Sequence, residues 1–191
     1  MAGVADFADS GYFQENQAHF FRMIPVSDRE PERKSFSILM IDDDREDFEL
    51  VKEALASKRM KVDLYWAEDG DEAMRFLFHL GKYEEVPVPD LILLDLNMPG
   101  KNGFDVLREL KADQQLRKLP VVILSSSRDS RHVARGYQIG ANAFMLKPMS
   151  FDEMADAMKS LCDYWFAVVK LPGGATPPPP KGVTKAPIGG G

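Results

Sequence analysis

The chain has 191 residues, 24 Lys plus Arg against 30 Asp plus Glu, a formal net charge of -6 and 45% hydrophobic residues, which allows one globular domain with additions. Six of the 13 prolines and six of the 14 glycines fall in residues 170–191, with three lysines and no acid, so that stretch reads as a mobile tail that cannot bury a core. Residues 38–169 then hold 17 basic and 24 acidic side chains, and a domain at -7 repels phosphate backbones, which argues against direct nucleic-acid binding and suits a cation or a basic partner.

From residue 38 onward, short apolar runs alternate with helical patterns, the signature of successive β-α units around a parallel sheet. Ile38, Leu39, Met40 and Ile41 form the first strand, and Phe48, Val51 and Leu55 recur at helical spacing after it. Val62, Leu64 and Trp66 alternate as a second strand; a helix follows with Ala73, Phe76, Leu77 and Leu80 on one face, stopping near Gly81. Leu91, Ile92, Leu93 and Leu94 are apolar on both faces, as a central parallel strand must be. A third helix over 104–111 turns Phe104, Leu107 and Leu110 inward, and Pro120 opens the fourth strand, Val121 to Leu124. The weakly patterned segment 131–138 is the fourth helix, 143–146 the fifth strand, and Phe151, Met154, Met158, Leu161 and Trp165 mark the inward face of the last helix. Right-handed crossovers make such a chain an α/β, doubly wound five-stranded parallel sheet whose ligand crevice lies at the carboxyl ends of its strands.

The polar residues that interrupt the apolar pattern collect at those ends. Asp42, Asp43 and Asp44 follow the first strand, Asp95 the third, Ser125, Ser126 and Ser127 the fourth, and Lys147 the fifth. Carboxylates brought together this way repel one another unless a cation intervenes, and Mg²⁺ suits a site that offers a few carboxylates and leaves room for water and a phosphoryl oxygen. Lys147 adds a second positive charge and Ser125 a hydroxyl donor, a set fitted to stabilise phosphoryl transfer onto one of the pocket's own carboxylates. Asp95 ends the most buried strand and is the expected nucleophile, whereas Asp44, Ser126 and Ser127 read as helix caps and turn residues.

These blocks resemble the receiver domain of two-component response regulators over residues 38–169. The resemblance rests on Ile41-Asp42-Asp43, on Leu94-Asp95-Leu96-Asn97-Met98-Pro99-Gly100 continuing to Gly103, on Ser125, and on Lys147-Pro148, all in order. It implies a CheY-like fold, similar to flavodoxin's, with strand order 2-1-3-4-5, and phosphorylation of Asp95 by a histidine kinase. It further implies Asp42, Asp43, Asp95 and the backbone carbonyl of Asn97 around Mg²⁺, with Ser125 and Lys147 on the phosphoryl oxygens. A cis bond at Lys147-Pro148 and a switch pair of Ser125 and Phe144 are implied as well; Phe144 lacks a hydroxyl, so any signal through it must come from ring packing. The segment from Ile41 to Leu55 and the loop Gly81-Lys82-Tyr83-Glu84-Glu85-Val86-Pro87-Val88-Pro89 resemble small stand-alone regulators that partner phytochrome-type histidine kinases.

The single Cys162 excludes an internal disulfide, the first residues lack the basic and apolar regions of an export signal, and no apolar run approaches the eighteen or so residues of a membrane span. A cytoplasmic, non-membrane protein is the expectation. In the extension 1–37, Tyr12, Phe13, Phe20 and Phe21 suit a short amphipathic arm over 12–23. Trp165, Phe166, Val168 and Val169 cannot all face one sheet, and a homodimer contact is the simplest use of the excess. The expected function is a signalling switch that binds different proteins when phosphorylated, rather than an enzyme. Two alternatives are a relay passing phosphate to a histidine phosphotransfer protein and a haloacid-dehalogenase-like phosphohydrolase. The hydrolase would need an aspartate two residues after the nucleophile, where Asn97 stands.

Overall fold

The computed structural model describes residues 35–171. The proposed aromatic arm over 12–23 and the Pro/Gly tail from 172 onward lie outside the described residues. Five strands, β1 (Phe36–Ile41), β2 (Val62–Ala67), β3 (Leu91–Leu94), β4 (Val121–Ser125) and β5 (Ala143–Leu146), pair in parallel in the order β2-β1-β3-β4-β5. Five α-helices alternate with them: α1 (Arg45–Ser57), α2 (Gly70–Leu77), α3 (Gly103–Ala112), α4 (Ser130–Ile139) and α5 (Phe151–Cys162).

Side chains of successive strand residues point to opposite faces, so one sheet feeds two cores. Leu39, Ile41, Ile92, Leu94, Val121 and Ile123 pack with Phe76, Phe104, Leu107 and Leu110 from α2 and α3. Ile38, Met40, Leu91, Leu93, Val122 and Leu124 pack instead with Val51 and Leu55 of α1 and Met154, Met158 and Leu161 of α5. Covering both faces is what forces the central strands to be apolar throughout.

The helix starts follow from local chemistry. Asp44, Asp69, Asn102, Asp129 and Ser150 each occupy an N-cap with the side chain accepting a backbone N–H of the first turn, worth about 1 kcal/mol apiece. Helix α4, whose apolar pattern is weak, is bounded by the Asp129 cap and by Gly140, whose φ of 118° lets its N–H reach back to Gly136 and Tyr137.

Three details depart from the sequence expectation. Helix α2 ends at Leu77 rather than near Gly81, because Phe78 caps it and His79 takes a positive φ of 54°; Leu80, expected inward, is exposed. Phe151 opens α5 and is exposed rather than buried. Beyond α5, residues Asp163–Val168 continue as a π-helical turn, and its wider winding turns Trp165 and Phe166 back onto the α1/α5 core. Phe166 stacks on Phe36 of β1 with ring centroids 4.2 Å apart. Part of the apolar surface that suggested a dimer contact is therefore covered within the chain, while Tyr164 remains exposed.

Candidate phosphoryl-acceptor site

Strand register converts distant sequence positions into neighbours. Ile41 pairs with Leu94, so the next residues, Asp42 and Asp95, emerge side by side, and the Asp95 N–H donates to the Ile41 carbonyl at 2.9 Å. Ser125 pairs with Leu146 at the end of β5, and the Lys147 N–H donates to the Ser125 carbonyl at 2.9 Å. Four strand ends thus open into one pocket of about 430 Å³ lined by Asp42, Asp43, Asp47, Asp95, Asn97, Ser126, Arg128 and Lys147 among others. The chain turns away after Asp95 because Gly103 lets α3 begin against the Asp95 and Leu96 backbone, where a Cβ would stand 2.1 Å from the Asp95 carbonyl oxygen.

Asp42 and Asp95 are buried and Asp43 is exposed, and a carboxylate oxygen from each lies within 4.8 Å of the others. Asp95 is 4% exposed; its Oδ2 accepts the Asn97 N–H at 2.9 Å, while its Oδ1 is buried and has no hydrogen-bond partner among the described residues. Asp42 Oδ1 accepts the Asp44 N–H at 3.0 Å, and the Trp66 indole N–H donates to the Asp42 carbonyl at 2.8 Å. The Lys147 ammonium sits among these acids: it donates to Asp47 Oδ2 at 2.6 Å and Asp42 Oδ2 at 2.8 Å, and lies 3.5 Å from Asp95 Oδ1.

The charges are strongly perturbed. Burial pushes the Asp42 carboxyl up to about 6, and the Lys147 hydrogen bond and charge only partly counter it. Burial also opposes the Lys147 charge, but its bonds to Asp42 and Asp47 and the nearby Asp95 outweigh that and hold the ammonium above the ordinary lysine range. A pocket in which three acids converge on a single ammonium, one of them with a buried oxygen that accepts no hydrogen bond among the described residues, is one that a hard divalent cation fits.

The structure brings together Asp42, Asp43, Asp95, Asn97 and Lys147 at the pocket. Ser125 stands just behind: it is fully buried, its Oγ accepts the Ser127 N–H at 3.3 Å, and exposed Ser126 lines the pocket in its stead. Phe144 pairs with Ile123 and packs half-buried against the α2/α3 core. Asp44 and Ser127 do what caps and turns do, Asp44 capping α1 and Ser127 Oγ accepting the Asp129 N–H at 3.4 Å; Ser127 Oγ also bonds His132 Nδ1 at 2.8 Å.

One expectation is corrected. No described peptide bond is cis, so Lys147-Pro148 is trans. Trans is the lower-energy isomer of an X-Pro bond by about 0.5–1 kcal/mol, and the long lysine side chain reaches Asp42 and Asp47 from the trans backbone. Sequence reasoning overlooked Asp47, Trp66 and Arg128. The position of Asp47 in the first turn of the helix that directly follows Asp42 and Asp43 was the available signal for it.

Residues 38–159 match the model of the response regulator receiver domain. The chain belongs to that family. Among its relatives, the response regulator Rcp1 of Synechocystis sp. is 36% identical over 135 residues, spanning 71% of this chain and 92% of Rcp1. The phosphorylated cyanobacterial phytochrome response regulator RcpA superposes with a TM-score of 0.68 at 34% identity, over 72% of this chain and 99% of RcpA. The Mn²⁺-bound form of Rcp1 gives 0.66 at 35% identity, over 72% of this chain and 99% of that one. The receiver fold, the two-component regulator class and the CheY-like strand order are thereby established for this chain. Among the described residues no helix is long and apolar enough to cross a membrane.

Proposed function

We propose that this chain is a phosphoryl-accepting switch: a histidine kinase of the phytochrome type phosphorylates Asp95 with Mg²⁺ in the pocket, and the phosphorylated form changes which protein it binds. The observation that carries this reading is the buried Asp95 Oδ1, free of hydrogen bonds and facing an ammonium in an open acidic pocket. Asp42, Asp43, Asp95 and the Asn97 carbonyl would hold the Mg²⁺. Bound there, it would neutralise the acids and the equatorial phosphoryl oxygens.

In the transfer, Asp95 Oδ1 forms the bond to phosphorus as the phosphorus–nitrogen bond to the kinase imidazole breaks; that electron pair stays on the ring, which is protonated on its other nitrogen and so leaves as neutral imidazole. Lys147 neutralises the transferred group from the β5 side. Ser125 engages a phosphoryl oxygen after its hydroxyl turns from the Ser127 N–H toward the pocket, and Phe144, packed beside Ile123, shifts with it. The phosphoryl group can bias this equilibrium only by binding the turned state better. The phytochrome partner is supported by the likeness to RcpA, described as a phytochrome response regulator. The same reading takes 1–37 as an N-terminal extension, 38–169 as the receiver and 170–191 as a Pro/Gly-rich tail, places the protein in the cytoplasm, and makes it a phosphoryl acceptor rather than a conventional enzyme.

Intact mass after incubation with acetyl phosphate and Mg²⁺ tests it. A gain of one phosphoryl group by wild type and none by Asp95→Asn is expected. Labelling of the variant would overturn the acceptor assignment, and turnover of the donor without adduct would favour a hydrolase. Loss of label to an added histidine phosphotransfer protein would make the chain a relay. A homodimer contact through the apolar surface that Trp165, Phe166, Val168 and Val169 leave half-buried after α5 belongs to the same proposal. Light scattering on the full chain and on one ending near Asp163 checks it, and a monomeric mass for both rules it out.

A further inference from the structure

Asp47 lies outside the acceptor motif, yet it makes the shortest contact of the Lys147 ammonium, 2.6 Å against 2.8 Å to Asp42 and 3.5 Å to Asp95. An aspartate in the first turn of a helix is ordinarily explained by the helix dipole or by capping. Here the capping is done by Asp44, whose side chain takes the Glu46 N–H. The Asp47 side chain instead crosses to a residue 100 positions away. The consequence falls on Asp95. Its Oδ1 is buried and accepts no hydrogen bond although an ammonium stands 3.5 Å off, because that ammonium is drawn toward Asp47 and Asp42.

We propose that Asp47 is a positioning residue that holds the Lys147 ammonium on the α1 side of the pocket, keeping Asp95 Oδ1 open to a divalent cation and to phosphorus. This rests on the reading of the pocket as a Mg²⁺-dependent acceptor site. Without the Asp47 carboxylate, Lys147 is left with Asp42 and Asp95, and a movement of less than about 1 Å brings it to hydrogen-bond distance of Oδ1. The ammonium then occupies the lone pair that must attack phosphorus and competes with the cation for two of its acids. With Asp47 present, Lys147 can release Asp42 and still keep an anionic partner.

A double-mutant cycle on the full chain tests the inference, with Mg²⁺ affinity read by calorimetry for wild type, Asp47→Asn, Lys147→Gln and the double variant. Asp47→Asn is expected to weaken Mg²⁺ binding by about tenfold when Lys147 is present and less than about twofold in the Lys147→Gln background, because coupling of that size marks groups that act through one another. Asp47→Glu should restore most of the affinity. Equal losses in both backgrounds would show that Asp47 contributes only its general field, and would overturn the proposal. Absence of any Mg²⁺ binding by folded wild type would instead sink the reading of the pocket itself, and this inference with it. Far-UV circular dichroism separates either result from misfolding.

Discussion

Gly103→Ala isolates the contact that seats Asp95. The φ of Gly103 is not in the left-handed region, so alanine is conformationally acceptable; the obstacle is space. A Cβ would stand 2.1 Å from the Asp95 carbonyl oxygen and 2.7 Å from the Leu96 Cα, both backbone atoms that cannot rotate aside. Either α3 must back away from β3, opening the layer of Phe104 and Leu107, or the Asp95-Leu96 peptide must shift. Overpacking against rigid atoms lies at the upper end of its usual range, so a loss of about 3 kcal/mol is expected. At an m-value of about 2 kcal/mol/M, that lowers the urea midpoint by about 1.5 M with unchanged slope. Gly136→Ala supplies the contrast. Its Cβ would meet the Ile123 Cδ1 at 2.6 Å, the tip of a flexible side chain, and the mid-helix gain of about 1 kcal/mol for alanine offsets the crowding. Its midpoint should move by less than about 0.5 M. Similar shifts in the two variants, or an unchanged midpoint for Gly103→Ala, would refute the claim that backbone contact at Gly103 holds the acceptor strand end.

Glu72 gives a pH-dependent test away from the pocket. Burial raises its carboxyl, but bonds from Lys82, Tyr83 and the Glu68 N–H outweigh that and bring it down to about 2 from 4.5. A depressed carboxylate contributes stability that is full above the unfolded value of 4.5 and lost as pH falls through about 2. Wild type should therefore exceed Glu72→Gln by up to about 2 kcal/mol near neutrality, discounted because the Lys82 end is screened by water, and the urea midpoints should converge toward pH 2. A gap that stays constant with pH would contradict this. Lys147→Gln leaves Asp42, Asp47 and Asp95 without their cation, so the metal-free protein should lose about 2 kcal/mol and recover part of it on adding Mg²⁺, seen as a larger Mg²⁺-induced rise in melting temperature than wild type shows. Phe166→Ala should cost about 1–2 kcal/mol through loss of the Phe36 stack, measured by urea denaturation; no change would mean the π-helical turn is not part of the domain's stability.

The sheet was legible because its strands are buried on both faces and so spell uninterrupted apolar runs, Leu91 to Leu94 above all. Helix α4 was placed to within a residue or so at each end although its apolar pattern is poor; in the structure the Asp129 cap and Gly140 set its bounds. What misled was periodicity near helix ends: Leu80 and Phe151 keep the spacing of an inward face, but backbone geometry there departs from it, through the positive φ of His79 and the first-turn position of Phe151. Asp42, Asp43, Asp95 and Lys147 were legible for a different reason, as polar residues at the ends of strands whose parallel pairing makes them neighbours. The trans Lys147-Pro148 bond and the inward-turned Ser125 were not, because bond isomer and hydroxyl direction leave no trace in residue order.

The register also explains why the pocket's charge balance is set from outside the acceptor motif. Asp42 and Asp95 are carried by adjacent strands, so their separation is fixed by the Ile41 and Leu94 pairing and cannot relax to relieve repulsion. Lys147 arrives from the edge strand β5 on a long side chain, and Asp47 from the first turn of α1, so these two are the adjustable members of the set. A rigid pair of acids joined to a movable ion pair lets the resting pocket offset part of its negative charge and, in the proposed phosphoryl transfer, release its acids to the cation. On that account, the response to Mg²⁺ should depend more on Asp47 and Lys147 together than on either alone.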